Sequence, residues 1–471
     1  MTNQSAPAPG TPGHPLRVAV IGSGPAAFYA VQHLFRRKEL TVEVDMYDRL
    51  PTPFGLVRHG VAPDHPKIKS VTRAYDRTAS DPRFRFYGYV ELGKDITVAD
   101  LREHYHQIIY ATGAQTDKPL NIPGIDLAGS HAATEFVAWY NGHPDYRDCD
   151  FDLSQETAAV VGVGNVAIDV ARILCRTEAE LRATDVADYA LEALIKSRIK
   201  TVYLLGRRGP VQAAFTNPEI KEIGEMAGAN AVTLPEEVAL DPLSQADLDA
   251  SDDRAMKNKV AILRRYAEQP VADKPHRLVV RFLVSPTELI GDADGRVMKM
   301  KLVRNELYRT EVGTLRPRAT DQSEELQVGL VFRSIGYRGV PLDGVPFRDD
   351  WGVILNKQGR VLDPDSNEPV TGEYAAGWIK RGPSGIIGTN KPDAAETVGL
   401  MLEDLAQGCH LHPAHPEAAS AEALVRQRRP DYFSYADWKR LDEIEQARGA
   451  EQNRPRVKFT SIAEMHAALG R

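Results

Sequence analysis

Cysteine is nearly absent from this chain. Cys149, Cys175 and Cys409 are scattered over 471 residues with no C-x-x-C spacing, which excludes a redox dithiol and a set of thiolate ligands for an iron–sulfur cluster. Long apolar runs are missing too, since no stretch approaches the roughly 18 residues that a membrane-spanning helix needs. The opening MTNQSAPAPGTPGHP lacks a basic start followed by an apolar core, and residues 1–15 read as a flexible tail on a cytoplasmic protein. There is no excess of positive charge either. Lys and Arg number 58 against 65 Asp and Glu, a net charge of −7, which argues against nucleic acid as the main partner. His410, His412 and His415 stand together, but Pro413 breaks their frame, so no metal site is expected.

What the chain does have is glycine in two telling places. RVAVIGSGPAA, Arg17 to Ala27, reads as a buried strand that turns abruptly into a helix with G-x-G-x-x-A spacing. Gly22 permits the tight turn, Gly24 lets a diphosphate approach the backbone, and Ala27 lets the helix sit close on the strand. The helix N-terminus then offers free N–H groups and a positive dipole end to that diphosphate. About 20 residues on, the fingerprint calls for an acid at the end of the next strand to take a ribose hydroxyl. Asp48 closes the run Val42, Val44, Met46 and is preferred to Asp45, because ligands gather at the carboxyl ends of strands.

The pattern repeats. Ala158 to Val161 is a second buried strand, followed by Gly162-Val163-Gly164-Asn165-Val166-Ala167 and a helix from Ile168 to Cys175. Here the next strand, Thr201 to Leu205, ends in Gly206-Arg207-Arg208 instead of an acid. A carboxylate would repel a 2′-phosphate, whereas two guanidiniums match its charge and geometry, so this site should prefer NADP(H) to NAD(H). About 45 residues separate Gly162 from Arg207 against the usual roughly 20, and the excess near Arg176 to Lys200 reads as an inserted helical segment.

Between these units, Leu50 to Lys69 carries four prolines and two glycines and reads as a packed irregular loop with no helix. His65 lies within it and, on its own, is more readily an exposed bystander than a reactive group. A helix is expected over Pro66 to Ala79 and a strand at Arg85 to Val90. The apolar Gln107 to Ala114 ends the first lobe. Asn217 caps a helix whose first turns hold Glu219 and Glu222 on one face, for which complementing the helix dipole is a sufficient reason. Strand-like runs follow at Leu278 to Val284 and Leu326 to Ile335. Near the end, Gly377-Trp378 precedes a glycine-rich turn, Gly382 to Gly388, and a helix near Pro392; such a turn stabilises negative charge on a reduced flavin. Beyond Gln407 the signal fades, with capping boxes at Ser434 to Asp437 and Ser461 to Glu464 opening helices of an appendage.

VAVIGSGPAAFYA, LPTPFGLVRHGVAPDHPKIKSV, VVGVGNVAIDVARIL, LLGRRGPVQAAFT and GWIKRGPSGIIGTNKPDA together resemble the adrenodoxin reductase type of ferredoxin–NADP reductase from about Leu16 to Leu402. The resemblance implies an α/β fold of two Rossmann-like dinucleotide-binding domains, one for FAD and one for NADP, the FAD domain being discontinuous. Residues 16–116 and 337–404 would form the FAD domain, 117–336 the NADP domain and 405–471 a C-terminal helical extension. It implies FAD contacts at Ala26, Asp48, Leu56, Val90, Trp378 and Gly385-Ile386-Ile387. NADP contacts are implied at Val163, Gly164, Asn165 and Val166, at Arg207 and Arg208, at Glu219, and again at Gly385. His65 and Glu222 correspond to a histidine and an acid near the nicotinamide in this family, orienting and handling a proton. Asp48 stands where relatives often have Glu, and Trp378 where wider disulfide-reductase relatives have Asp.

The expected activity is hydride transfer from NADPH to FAD followed by single-electron transfer to a ferredoxin. An NADPH diaphorase or quinone reductase, or a low-turnover flavin redox sensor, would use the same two nucleotide sites. Since ferredoxins are acidic, docking needs a local basic patch, either Arg36, Arg37 and Lys38 or Arg264 and Arg265.

Overall fold

Buried strands alternate with helices to build two parallel sheets in the computed structural model, which describes residues 8–471. In the first sheet Leu16–Ile21 lies between Val42–Asp48 and Gln107–Tyr110, with Phe84–Gly88 beyond Val42–Asp48. Pro369–Ala375 joins in parallel beside Gln107–Tyr110, and two short antiparallel strands finish that edge. All of Leu16–Ile21 is buried, as a central strand with both faces covered must be. The second sheet runs Ser130–Ala132, Leu330–Arg333, Thr157–Val161, Thr201–Gly206, His276–Phe282, Ala229–Thr233 in space, all parallel. In each sheet the strand entering a glycine turn is flanked by strands reached in opposite directions, so a crevice opens at its carboxyl end. This is the doubly wound α/β architecture expected, with its first sheet completed by a strand from late in the chain.

Apart from the expected cap at Asn217, which is instead the first helical residue after Thr216, the structure departs from expectation in four places. The proline loop is not devoid of helix: Leu56–His59 and Pro66–Lys69 are single helical turns, each next to a glycine or proline that sets its start. The helix expected over Pro66 to Ala79 is broken at Ser70 and Val71, and Thr72–Ala79 is a separate element. A three-stranded antiparallel sheet, Val284–Gly291, Val297–Arg309 and Leu315–Gln327, was not anticipated. Its half-exposed strands carry so many charges that their alternation is hard to see in the sequence.

The fourth departure concerns the two ends. Of the expected flexible tail, residues 1–7 lie outside the described residues, but Gly10 donates to the His14 carbonyl at 2.8 Å and accepts from Thr41 N at 2.9 Å, which pins that turn to the first sheet. The C-terminal segment is no appendage. Trp438, Leu441, Phe459 and Met465 are buried in the first lobe's core, and Phe433 bridges to Gly88. Glu445, fully buried, accepts two hydrogen bonds from Arg58 at 2.9 and 2.5 Å and one from Phe459 N at 2.8 Å. From the same segment Arg454 donates to the carbonyls of Thr184 and Val186, and Lys458 reaches Asn141 at 3.2 Å, in the second lobe. The segment thus fastens one lobe to the other. Ser461 opens the last helix without the expected side-chain cap, whereas Ser434 and Asp437 form a full capping box.

Trp438 is 1% exposed and packs edge-on to Phe54 with ring centroids 5.8 Å apart. Trp438→Ala is expected to destabilise the first lobe by about 3–5 kcal/mol, measured as the loss in urea-unfolding free energy with FAD present. An effect under about 1 kcal/mol would mean that the C-terminal helices only rest on the surface.

Candidate dinucleotide and redox site

The two glycine turns divide their labour in the same way. Gly22 has φ +98 and Gly162 φ +134. A Cβ on Gly22 would meet the Ala111 carbonyl oxygen at 2.6 Å, and one on Gly162 would meet the Ser334 carbonyl oxygen at 2.1 Å. Both glycines are demanded by the fold itself. Gly24 and Gly164 are different. They cap the following helices in extended conformation, and a Cβ at either would meet nothing within 4 Å. Protein packing gives no reason for glycine there, so each turn leaves a cradle that a side chain would fill, in front of a helix N-terminus with uncapped N–H groups. The residues present therefore fit a diphosphate at both places.

The first cleft is lined by Gly22, Gly24, Asp48, Leu56 and Val90. Asp48 accepts from Ser23 N at 3.0 Å, Ser23 Oγ at 2.5 Å and Leu50 N at 2.9 Å. Burial raises its pKa, outweighing these hydrogen bonds. Asp45, the other carboxylate of this strand, is fully buried and taken up by Arg17 at 2.6 Å, Arg85 at 2.7 Å and Tyr105 at 2.6 Å. Only Asp48 of the two faces the cleft. Ala26 sits under the last turn of the site, because a Cβ on Gly377, the residue before Trp378, would come 2.5 Å from the Ala26 Cβ. Late and early parts of the chain meet there.

At the second turn the Val163 carbonyl accepts from Ala214 N and Phe215 N, both at 3.0 Å. Asn165 Oδ1 accepts from Thr216 N at 3.0 Å and its Nδ2 reaches Glu219 Oε1 at 3.5 Å, leaving Glu219 Oε2 buried without a partner. Val166 packs against the second lobe's core. Arg207 is exposed and Arg208 half-buried, and neither is paired with a carboxylate among the described residues. Burial lowers the Arg208 pKa, and the charges of Arg207 and Arg316 lower it further. Two neighbouring guanidiniums with no carboxylate partner match the charge and geometry of a phosphate monoester.

His65 and Glu222, more than 150 positions apart, are brought together: His65 Nε2 lies 2.9 Å from Glu222 Oε2. Sequence reasoning did not find the groups that hold them. Arg172 forks onto Asp64 at 2.8 and 2.9 Å and also reaches Asp169 at 2.8 Å and Glu222 at 3.4 Å. Arg176 bridges Asp64 and Glu222 at 2.9 and 3.1 Å. Burial lowers the His65 pKa, but the hydrogen bond to Glu222 together with the charges of Asp169 and Asp64 outweighs it and the net shift is upward. Burial raises Asp169 to about 6 despite Arg172. The i, i+3 spacing of Asp169 and Arg172 on the helix Asn165–Cys175, with Arg176 as the residue that ends it, was the available signal.

Trp378 opens a short helix, and its Nε1 donates to the Ser384 carbonyl at 3.1 Å. Its ring stands 5.6 Å from that of Tyr337, which lines the first cleft. Gly385 has φ +80 and a Cβ there would strike Thr389 Oγ1 at 2.4 Å, so the turn itself requires glycine. Beyond it Ile386 is 59% exposed and Ile387 packs on the first lobe's core.

Two dinucleotide cradles and an ionic junction between their lobes define an oxidoreductase of the two-nucleotide class. The Pyridine nucleotide-disulphide oxidoreductase family matches residues 16–204, although the three cysteines here are unpaired and form no dithiol. The chain is 44% identical over 460 residues to NADPH-ferredoxin reductase FprA of Mycobacterium tuberculosis, covering 96% of this chain and 98% of that one. It is 40% identical to the human mitochondrial NADPH:adrenodoxin oxidoreductase, over 96% of this chain and 92% of the relative. The structure of FprA in complex with NADPH superposes with a TM-score of 0.90 at 44% identity, covering 97% of this chain and all of the other. The chain belongs to the adrenodoxin reductase type of NADPH-ferredoxin reductases, NADPH-dependent flavoprotein oxidoreductases.

The glycine contrast is directly testable. Gly22→Ala should unfold or fail to express, whereas Gly24→Ala should fold with unchanged far-ultraviolet circular dichroism and bind FAD at least about tenfold more weakly, the loss of one well-made anion contact. Unaltered FAD affinity in Gly24→Ala would show that no diphosphate approaches there.

Proposed function

We propose that this protein passes hydride from NADPH to a resident FAD and delivers electrons singly to a ferredoxin. The observation that carries the reading is the contrast between the strand ends: a carboxylate, Asp48, beside the first glycine turn and two guanidiniums without carboxylate partners beside the second. Bound FAD would supply the conversion of a two-electron donor into one-electron deliveries. In this reading Asp48 takes ribose hydroxyls, the turn at Gly24 takes the diphosphate, and Leu56, Val90 and Trp378 flank the rest of the cofactor. Val163 to Val166 and Glu219 hold the coenzyme's middle, and Arg207 and Arg208 grip its 2′-phosphate. His65 and Glu222 keep a proton at Nε2 and fix the approach of one ring to the other; the hydrogen bond from His65 and the charge of Arg172 hold Glu222 ionised, and Arg176 is paired with it at 3.1 Å. The two-part FAD domain, 16–116 with 337–404, and the NADP domain, 117–336, belong to the same proposal.

For the partner, helix Arg254–Glu268 supports the reading: Arg254, Lys257, Arg264 and Arg265 are exposed along it, and none forms an ion pair among the described residues. Arg36, Arg37 and Lys38 are similarly exposed and unpaired on the first lobe. No helix among the described residues is long and apolar enough to cross a membrane, and a cytoplasmic location is part of the proposal.

Flavin bleaching on mixing with NADPH, followed by reduction of an added ferredoxin in a salt-sensitive manner, is the decisive experiment. Reduction of quinones or dyes alone would favour a diaphorase, and absence of fast bleaching would favour a sensor. Arg207→Ala with Arg208→Ala should raise the NADPH Kd about 100-fold while changing NADH less than about threefold; equal losses would refute the assignment.

His65 adds a pH signature. Its ion pair with Glu222 is complete below the free-imidazole value of 6.5 and is lost as pH rises through the raised folded value. Flavin reduction should therefore show an inflection above pH 6.5. In His65→Gln the inflection should vanish and the rate fall about tenfold with FAD retained; an inflection that persists would assign it to another group.

A further inference from the structure

The stretch between the second glycine turn and its strand end is longer than a dinucleotide fold requires. From Arg176 to Lys200 it folds as two short helices, Glu178–Arg182 and Asp188–Ile195, and Thr184 to Ala187 between them are buried. Asp185, 5% exposed, reaches from there into the first lobe: Lys69 Nζ donates to its two carboxylate oxygens at 2.6 and 2.9 Å. Lys458 Nζ of the C-terminal segment stands 3.4 Å from the same carboxylate, and donates to the carbonyls of Arg58 at 3.3 Å and Asn141 at 3.2 Å. Burial pushes the Asp185 carboxyl up, and the two ammonium groups outweigh it and bring it down to about 2.

Lys69 closes the single helical turn Pro66–Lys69, which His65 precedes, and its N donates to the His65 carbonyl at 3.3 Å. On the other side of His65 stands Asp64, forked by Arg172 and bridged by Arg176. The second lobe therefore grips the first lobe's loop immediately before His65 and again one helical turn after it. A lone turn of four residues is unstable by itself, so the direction of the His65 ring depends on what holds the two ends. A buried ion pair recovers little net stability once desolvation is counted, and stability alone does not account for Asp185.

We propose that Asp185 is a positioning residue for His65: through Lys69 it holds the far end of the loop, so that His65 Nε2 stays on Glu222 at 2.9 Å. Its role rests on the part that His65 takes in hydride transfer. The inserted helices thereby have a task, which is to carry an anchor from the second lobe to the loop of the first.

Lys69→Met cuts the clamp from the first lobe and leaves Lys458 facing Asp185. In the holoenzyme mixed with NADPH in a single turnover, it should slow flavin bleaching about three- to tenfold, with FAD retained and the NADPH Kd within about twofold. Lys69→Arg should recover most of the rate. Asp185→Asn should match Lys69→Met, and the Lys69 variants decide the matter if Asp185→Asn does not fold. Lys69→Met combined with His65→Gln should be no slower than His65→Gln alone, because both changes act through one side chain. The pH profile adds a test of sign. His65 faces the carboxylates of Glu222, Asp169 and Asp64 and the guanidinium of Arg172, all kept in Lys69→Met. Loss of the Lys69 charge by itself would move the inflection up, whereas a slackened bond to Glu222 moves it down towards 6.5, the expected result. Additive slowing in the double variant, an inflection that rises or stays, or loss of FAD from Lys69→Met would each overturn the role of Asp185 and leave that of His65 standing. A wild-type rate and pH profile in His65→Gln would overturn both together.

Discussion

An ionic junction between the lobes is what the rest of the site depends on. Asp64 and His65 come from the proline loop of the first lobe, and Arg172, Arg176 and Glu222 from helices of the second. Arg172 is fully buried, and a guanidinium in that position is tolerable only if carboxylates surround it. Asp64 supplies the fork, and the arginines hold its pKa far below the usual carboxylate range despite burial. The spacing of the two cradles is set by this junction, together with the C-terminal clasp.

Within each lobe one device is used twice with opposite electrostatics. Strand, glycine turn and helix N-terminus are the same in both, down to the pairing of a glycine required by the fold with a glycine that only a ligand explains. The difference lies at the next strand end. In the proposed assignment a carboxylate accepts from ribose hydroxyls, whereas a pair of guanidiniums with no carboxylate partner among the described residues takes an added phosphate. Coenzyme identity would then be decided by a few residues on an otherwise duplicated frame.

How much of this was legible follows from the range of the interactions. Arg17 to Asp48 and Ala158 to Arg208 could be read because strand, turn, helix and terminal residue are encoded close together. The choice of Asp48 over Asp45 rested on strand direction, and the structure adds the reason: Asp45 is consumed by Arg17, Arg85 and Tyr105. His65 and Glu222 were ambiguous on their own residues, since neither local pattern reveals the other. Asp64, Arg172 and Arg176 escaped notice because charges on a helix read as solvated until their partner from a distant loop is known. The antiparallel sheet was hidden by its charged outer face, and the C-terminal segment by having no motif; its Trp438, Glu445 and Lys458 acquire meaning only against Phe54, Arg58 and Asn141.

The late strand and the C-terminal clasp impose an order on biosynthesis. Pro369–Ala375 must be made before the sheet begun at Leu16 can be completed, and Glu445 and Lys458 must leave the ribosome before the lobes are fastened. The second lobe, whose six strands all fall between Ser130 and Arg333, can mature while the first is still open on one edge. The nascent chain therefore presents an unfinished first cleft through most of its translation, and that cleft is the last part of the molecule to close.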